Sequence, residues 1–191
     1  MLSFNELGED YGGLTGKSSV DFGSGQPYIT YLNVFRNDII EEELFEYVQL
    51  LPDEMQNSVQ YGDLLFTLSS ETPSEVGIGA IYLGKTIPLY LNSFCFGIRL
   101  SNPELIYNPY LAYFVTSQYF RKNIYPFAQG STRYNLMKSD FMKHRFCIPY
   151  LAMQKKIYNA LHSLSVKIQN EEVSLNKYVK QKQFLITHLF I

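Results

Sequence analysis

No apolar run among the 191 residues approaches the ~18 needed to cross a bilayer as a helix, so a membrane span is not expected. The opening MLSFNELGED is acidic and lacks the basic-then-apolar order of a secretory signal. Cysteine is nearly missing. Cys95 and Cys147 sit in apolar company (NSFCFG, HRFCIP) and read as small buried hydrophobes of a reducing compartment, not as a disulfide or metal site. Charged residues amount to 18% against 46% hydrophobic ones, which excludes a disordered chain. The expectation is a cytoplasmic protein with enough apolar residues for a sizeable core.

Catalytic sets are missing as well. His144, His162 and His188 are scattered, and no Cys/His or Ser-His-Asp set has usable spacing. Asn108-Pro109-Tyr110 resembles the Asn-Pro-Pro-aromatic box of amino-methyltransferases but has one proline where that box has two. Phe22-Gly23-Ser24-Gly25 has no strand before it and no acidic residue closing a following strand, so it reads as a turn and not as a cofactor loop. No paired acids precede an acid-x-Lys strand, the pattern of a magnesium-dependent nuclease. The expected class is a non-catalytic binding module without cofactor or metal.

What is present begins with a charge gradient hidden by the net −2. Residues 1–75 carry Lys17 and Arg36 against fourteen acids, a balance of −12. Residues 76–149 carry eight bases against Glu104 and Asp140, or +6, and residues 150–191 carry six lysines against Glu171 and Glu172, or +4. Such asymmetry fits one face meeting an anion and another meeting a different partner.

Patterning along the chain predicts an α+β fold: an irregular, strand-rich globular domain with short helices over 1–149, then one long coiled-coil helix over 150–191. Strands are expected at 26–34 (QPYITYLNV, after a Gly-Ser-Gly turn), 61–69, 77–84, 92–100 and around 146–149. One amphipathic helix is expected from Asn108 to about residue 125, opened by Pro109, and a second short helical stretch after the polar turn 129–135. Beyond Pro149 neither Gly nor Pro occurs. A heptad seam runs there, alternately four and three residues apart, through Ile157, Leu161, Leu164, Ile168, Glu171, Leu175, Tyr178, Lys182, Leu185 and Leu189; eight of these ten are apolar. A helix of about 40 residues spans about 60 Å, so it must meet another chain or project from the body.

Six short motifs, in order, resemble one half of the specificity subunit of type I restriction–modification systems. They are Leu7-Gly8-Glu9 with Gly12-Gly13-Leu14-Thr15, Pro27-Tyr28-Ile29-Thr30, Gly62-Asp63-Leu64-Leu65-Phe66-Thr67, and Gly130-Ser131-Thr132-Arg133 followed by Leu136. Ile148-Pro149 then leads into Gln154-Lys155-Lys156-Ile157, and Lys182-Gln183-Phe184-Leu185 to Leu189-Phe190 resembles that family's helix close. Tyr150 and Met153 depart from the usual proline and glutamate at the start of the helix, away from any recognition surface. A whole subunit has two recognition domains and two such helices; one of each here resembles a half-subunit or a single-half fragment.

The resemblance implies that residues 1–149 form a target recognition domain reading one half of a bipartite site in double-stranded DNA. It implies that the helix docks methyltransferase subunits, with a restriction subunit as a further possible partner, and that cofactor chemistry belongs to the methyltransferase. Phosphates need Lys and Arg, and base edges need paired donors and acceptors. The bases at 85, 99, 121, 122, 133, 138, 143 and 145 and the loops 15–19, 69–75 and 129–135 offer these. The expected DNA contacts are Lys17, Ser18, Thr30, Tyr31, Ser69, Ser70, Lys85, Arg121, Lys122, Arg133, Tyr134 and Lys138. Gly12, Gly13 and Gly130 are expected to shape these loops at positive φ. The alternative is a protein-interaction adaptor using the acidic N-terminal part and the coiled coil.

The helix carries its own expectation. In an antiparallel two-fold dimer, paired residue numbers add to a constant. A sum of 353 pairs Leu164 with Leu189, Ile168 with Leu185, Leu175 with Tyr178, and Glu171 with Lys182. Neighbouring registers oppose a charge to an apolar residue. The expected interface of an antiparallel homodimer, or of a pairing with a second half-subunit, is therefore Leu164, Ile168, Glu171, Leu175, Tyr178, Lys182, Leu185 and Leu189. Its 26 residues measure about 39 Å, close to one turn of duplex at about 34–36 Å.

Overall fold

The computed structural model describes residues 1–189; Phe190, the expected close of the long helix, lies outside the described residues. The body is organised around strand β5 (Leu64–Thr67), buried on both faces. Its period of two sends Leu64 and Phe66 into one core cluster and Leu65 into another. β5 lies between β9 (Cys95–Leu100) and β7 (Gly79–Ile81), and β2 (Gly8–Gly12) completes this antiparallel sheet in the order β2-β9-β5-β7. A second sheet sets β3 (Phe22–Ile29) between β4 (Glu46–Val48) and β8 (Tyr90–Leu91). A third orders β10 (Ala128–Gln129), β11 (Tyr134–Leu136) and β6 (Ser69–Ser70). Finally β1 (Leu2–Ser3) pairs with β12 (Arg145–Phe146), joining the first residues to the last strand of the body.

The larger cluster is aromatic. Phe4, Phe66, Phe96, Phe120, Phe141 and Phe146 are fully buried. Phe120 stacks on Phe146 with centroids 5.0 Å apart, and Phe66 meets Phe141 edge-on at 5.1 Å. They come from α1 (Phe4–Leu7), β5, β9, α4 (Gln118–Ile124), α5 (Lys138–Lys143) and β12, so one cluster ties both ends of the body together.

Three expectations are corrected. The strand expected at 26–34 begins earlier, at Phe22, and stops at Ile29. Gly23 and Gly25, both at φ +109°, form a bulge inside it and not a turn before it. Thr30 then accepts the Asn33 N–H at 3.2 Å and caps α2 (Tyr31–Arg36), so a side-chain cap overrides the strand preference of the following aromatic residues. The single helix expected from Asn108 is two, α3 (Asn108–Thr116) and α4, because Ser117 is extended and its Oγ accepts the Phe120 N–H. Cys95 is buried as expected, but Cys147 is exposed; both are free thiols.

The long helix α6 (Leu151–Leu189) is fastened at its first turn by Gln154. Its side chain is fully buried, accepts the Tyr107 N–H at 2.9 Å, and donates to the Leu105 and Pro149 carbonyls at 2.8 and 2.7 Å. Ile157 and Tyr158 pack on the body, and Tyr113 Oη lies 3.2 Å from Ser165 Oγ. From Asn159 onward the described helix is exposed apart from half-buried Ser174. Gln154→Ala leaves three backbone groups unpaired, at an expected cost of about 1–3 kcal/mol. The loss should appear as faster amide exchange in residues 105–107 and in the first turns of α6.

Candidate nucleic-acid interface

Three stretches far apart in sequence converge on one surface. The Tyr31 hydroxyl donates to the Ser69 carbonyl at 2.9 Å. β6 pairs with β11 so that Ser70 faces Tyr134 and Ser69 faces Asn135. Arg133 stands exposed beside this pair, its guanidinium carbon 5.7 Å from the centroid of the Phe94 ring. Burial pushes the Tyr31 phenol above its ordinary pKa, and the positive charge of Arg133 works against that rise. Ser69 and Ser70 are buried, and the Ser70 hydroxyl donates to Glu75 at 2.8 Å, so of the expected contacts gathered here only half-buried Tyr31 and Tyr134 and exposed Arg133 share the surface. Phe94 joins them and was not anticipated; the one signal for it was an aromatic residue inside the polar turn Asn92-Ser93-Phe94.

Glycine geometry supports this surface at two points. Gly130 has φ +147°, and a Cβ there would collide with the Arg133 carbonyl oxygen, so only glycine closes the turn that presents Arg133. Gly12 and Gly13 are not at positive φ, which corrects that expectation. Gly13 is required for close approach instead: a Cβ would collide with the Asn92 carbonyl oxygen at the turn carrying Phe94.

The remaining residues of the expected set lie elsewhere. Arg121 donates to the carbonyls of Gly77, Ser74 and Val76 at 2.7, 2.6 and 2.9 Å, and burial lowers its pKa. Its guanidinium is spent on holding the loop that follows β6. Lys17 has a side chain only 7% exposed and pairs with Glu54. That ion pair, with Gln56 and the Leu51 N–H, pulls the Glu54 carboxyl down to about 2. Ser18 donates to Asp21 at 2.9 Å, and Thr30 is occupied by its cap. Lys138 pairs with Asp10 and lies over the Phe96 ring; Lys85 and Lys122 are exposed. Of the other bases, Arg99 is bound to buried Asp63, and Arg145 to Glu6 and the Met1 carbonyl. The partners of Lys17, Arg121, Lys138, Arg99 and Arg145 lie far away along the chain, where charge counting cannot see them.

The exposed length of α6 is the second candidate surface. Leu164, Ile168, Leu175, Tyr178, Leu185 and Leu189 are 42–69% exposed along one seam. The seam holds two shallow furrows, one lined by Leu164, Lys167, Ile168, Glu171, Glu172 and Leu175. The other is lined by Tyr178, Gln181, Lys182, Leu185, Ile186 and Leu189. Val166, Val173 and Phe184, off the heptad, are 41–59% exposed. At 100° per residue they fall on the opposite side of the helix, a second apolar stripe that the heptad alone did not reveal. Among the described residues no helix is long and apolar enough to cross a membrane, and no cluster of three or more His, Cys, Asp or Glu is placed to hold a metal.

A mixed α+β body followed by one long helix recurs in solved structures. The chain is similar to the S subunit of a type I restriction–modification system from M. genitalium, with a TM-score of 0.56 and 13% identity, over 95% of this chain and 43% of that one. It is similar to the HsdS subunit from Thermoanaerobacter tengcongensis, with a TM-score of 0.56 and 13% identity, over 91% and 38%. A third likeness is to a chain solved in work on complex assembly and conformational transition of the type I R-M system, with a TM-score of 0.55 and 15% identity, over 98% and 42%. The chain therefore spans less than half the length of these structures. No curated protein is significantly similar to it.

These likenesses define the class of fold, a mixed α+β body followed by one long helix, as in part of each of those subunits. The model of the type I restriction modification DNA specificity domain matches residues 14–181. The chain belongs to that family.

Proposed function

We propose that the body over residues 1–149 reads one half of a bipartite target in double-stranded DNA, and that α6 joins it to a second half and to methyltransferase subunits. The observation that carries this reading is the exposed Arg133 guanidinium over the Phe94 ring, at a turn shared with Tyr134. It makes no ion pair among the described residues, in a chain of the DNA specificity family. Guanidinium donors suit both guanine edges and phosphates. The two apolar sides of α6 supply one face for a second half and one for a further subunit.

Binding to duplex DNA should fall steeply with salt, because each neutralised phosphate releases counterions. A flat salt response would favour the protein adaptor. Arg133→Ala separates the modes of contact. A lost base-edge contact costs about 1–3 kcal/mol and relaxes specificity at one position; a lost phosphate contact weakens all sequences alike and lowers the salt slope by about 1. Unchanged binding would make Arg133 structural. Purified alone, the chain should transfer no methyl group to DNA from S-adenosylmethionine; transfer by a preparation free of methyltransferase would overturn that expectation.

A further inference from the structure

Phe94 is 54% exposed and belongs to none of the three buried clusters, so the core does not explain its place. Its backbone is nonetheless fixed. The Phe94 N–H donates to Asn92 Oδ1 at 2.9 Å, and the Phe94 carbonyl accepts the Leu68 N–H at 2.9 Å. Gly13 packs against the same turn, and the Gly13 N–H donates to the Cys95 carbonyl at 3.2 Å. The backbone that presents the ring is therefore held at a set position beside the strand that carries Ser69 and Ser70. The ring's described charged neighbour is the Arg133 guanidinium, 5.7 Å from the ring centroid.

We propose that Phe94 is the positioning residue for Arg133, its ring face carrying the guanidinium so that the in-plane N–H donors stay outward and free for duplex DNA. The inference rests on the reading of Arg133 as a DNA contact. An arginine side chain loose in water samples many rotamers and loses that freedom on binding. An aromatic ring within cation–π distance of the guanidinium removes part of the loss beforehand. It attracts the cation without accepting a hydrogen bond, whereas a carboxylate partner would occupy the donors. Both ends of the side chain are then defined, since the glycine-closed turn at Gly130 fixes the Arg133 backbone.

The test uses the full chain and two probes: a duplex selected from a randomised library by the wild-type protein, and an unrelated mixed-sequence duplex. Phe94→Ala is expected to weaken binding to the selected duplex about 2–5-fold. Phe94→Tyr should bind like wild type, and Phe94→Leu, which keeps apolar bulk without the aromatic face, should resemble Phe94→Ala. In the Arg133→Ala background, Phe94→Ala should add no further loss. Equal thermal midpoints across the set exclude a folding effect, and Phe94→Leu carries the test if Phe94→Ala fails to fold. An equal loss from Phe94→Ala in both backgrounds overturns the proposal in favour of a direct ring contact with DNA. Wild-type binding by Phe94→Leu overturns it as well. Loss in Arg133→Ala with none in Phe94→Ala removes the positioning role alone, whereas unchanged binding in Arg133→Ala removes the underlying reading of Arg133.

Discussion

Asp63→Ala is expected to cost about 2–4 kcal/mol of stability, seen as a lower urea midpoint with the slope unchanged. Asp63 is buried and collects four hydrogen bonds. Tyr11 Oη and the Gln60 N–H donate to Oδ2 at 2.6 and 2.8 Å, and Arg99 donates to both oxygens at 2.8 and 3.3 Å. Removing the carboxylate strands a buried hydroxyl and a backbone N–H, while Arg99, its side chain 40% exposed, recovers part of its hydration. A loss below about 1 kcal/mol would mean that water replaces the carboxylate. The same network fixes a pH response. Burial, and then the Asp63 charge, raise the Tyr11 phenol well above its ordinary value. A group whose folded pKa is raised lends stability below its unfolded pKa and withdraws it as pH climbs, so stability should decline above pH ~10. Tyr11→Phe should flatten that decline.

Reversing one charge on α6 should lower the affinity of the proposed homodimer roughly a thousandfold. In the register summing to 353, Glu171 meets Lys182 twice, once on each side of the two-fold axis. Each contact in Glu171→Lys loses an attraction of about 1 kcal/mol and gains a repulsion of similar size, on the order of 4 kcal/mol per dimer. The Glu171→Lys/Lys182→Glu double variant should recover wild-type affinity. The furrows on α6 support this register, because the operation exchanges them residue for residue. Leu164, Lys167, Ile168, Glu171, Glu172 and Leu175 go to Leu189, Ile186, Leu185, Lys182, Gln181 and Tyr178. Light scattering across a dilution series reads the outcome. Equal dimerisation by both single variants, or a parallel arrangement by cross-linking, would show the register to be wrong.

The long helix was legible because its signal repeats: five heptads without Gly or Pro outvote any single residue. β5 was legible for a similar reason, an apolar run held between turn residues. What stayed hidden depended on one atom or on a distant partner. Thr30 Oγ1 decides between strand and helix at Tyr31, and Ser117 Oγ divides one periodic stretch into α3 and α4. The Gly62-Asp63 motif was visible as a resemblance, but its reason was not. Gly62 sits at φ +87° where a Cβ would collide with the Asn108 side chain, and Asp63 answers residues 36 and 52 positions away. At the candidate interface the exposed turn that carries Arg133 could be read from composition, but the burial of Ser69 and Ser70 and the bond from Ser70 to Glu75 could not. The committed partners of Lys17 and Arg121, and the ring beneath Arg133, depend on contacts between segments far apart in the chain.

The pairing of Leu2 with Phe146 and of Ser3 with Arg145 means that the polypeptide enters and leaves the body at one place. Everything between is a closed loop hung from a single hinge point, with α6 starting five residues after the exit. Such a layout makes the body an exchangeable cassette. A different span between the same two strands would present a new surface while leaving the start of α6 where it is. On the proposed reading, a change of target would then need no change in the sequence proposed to govern assembly.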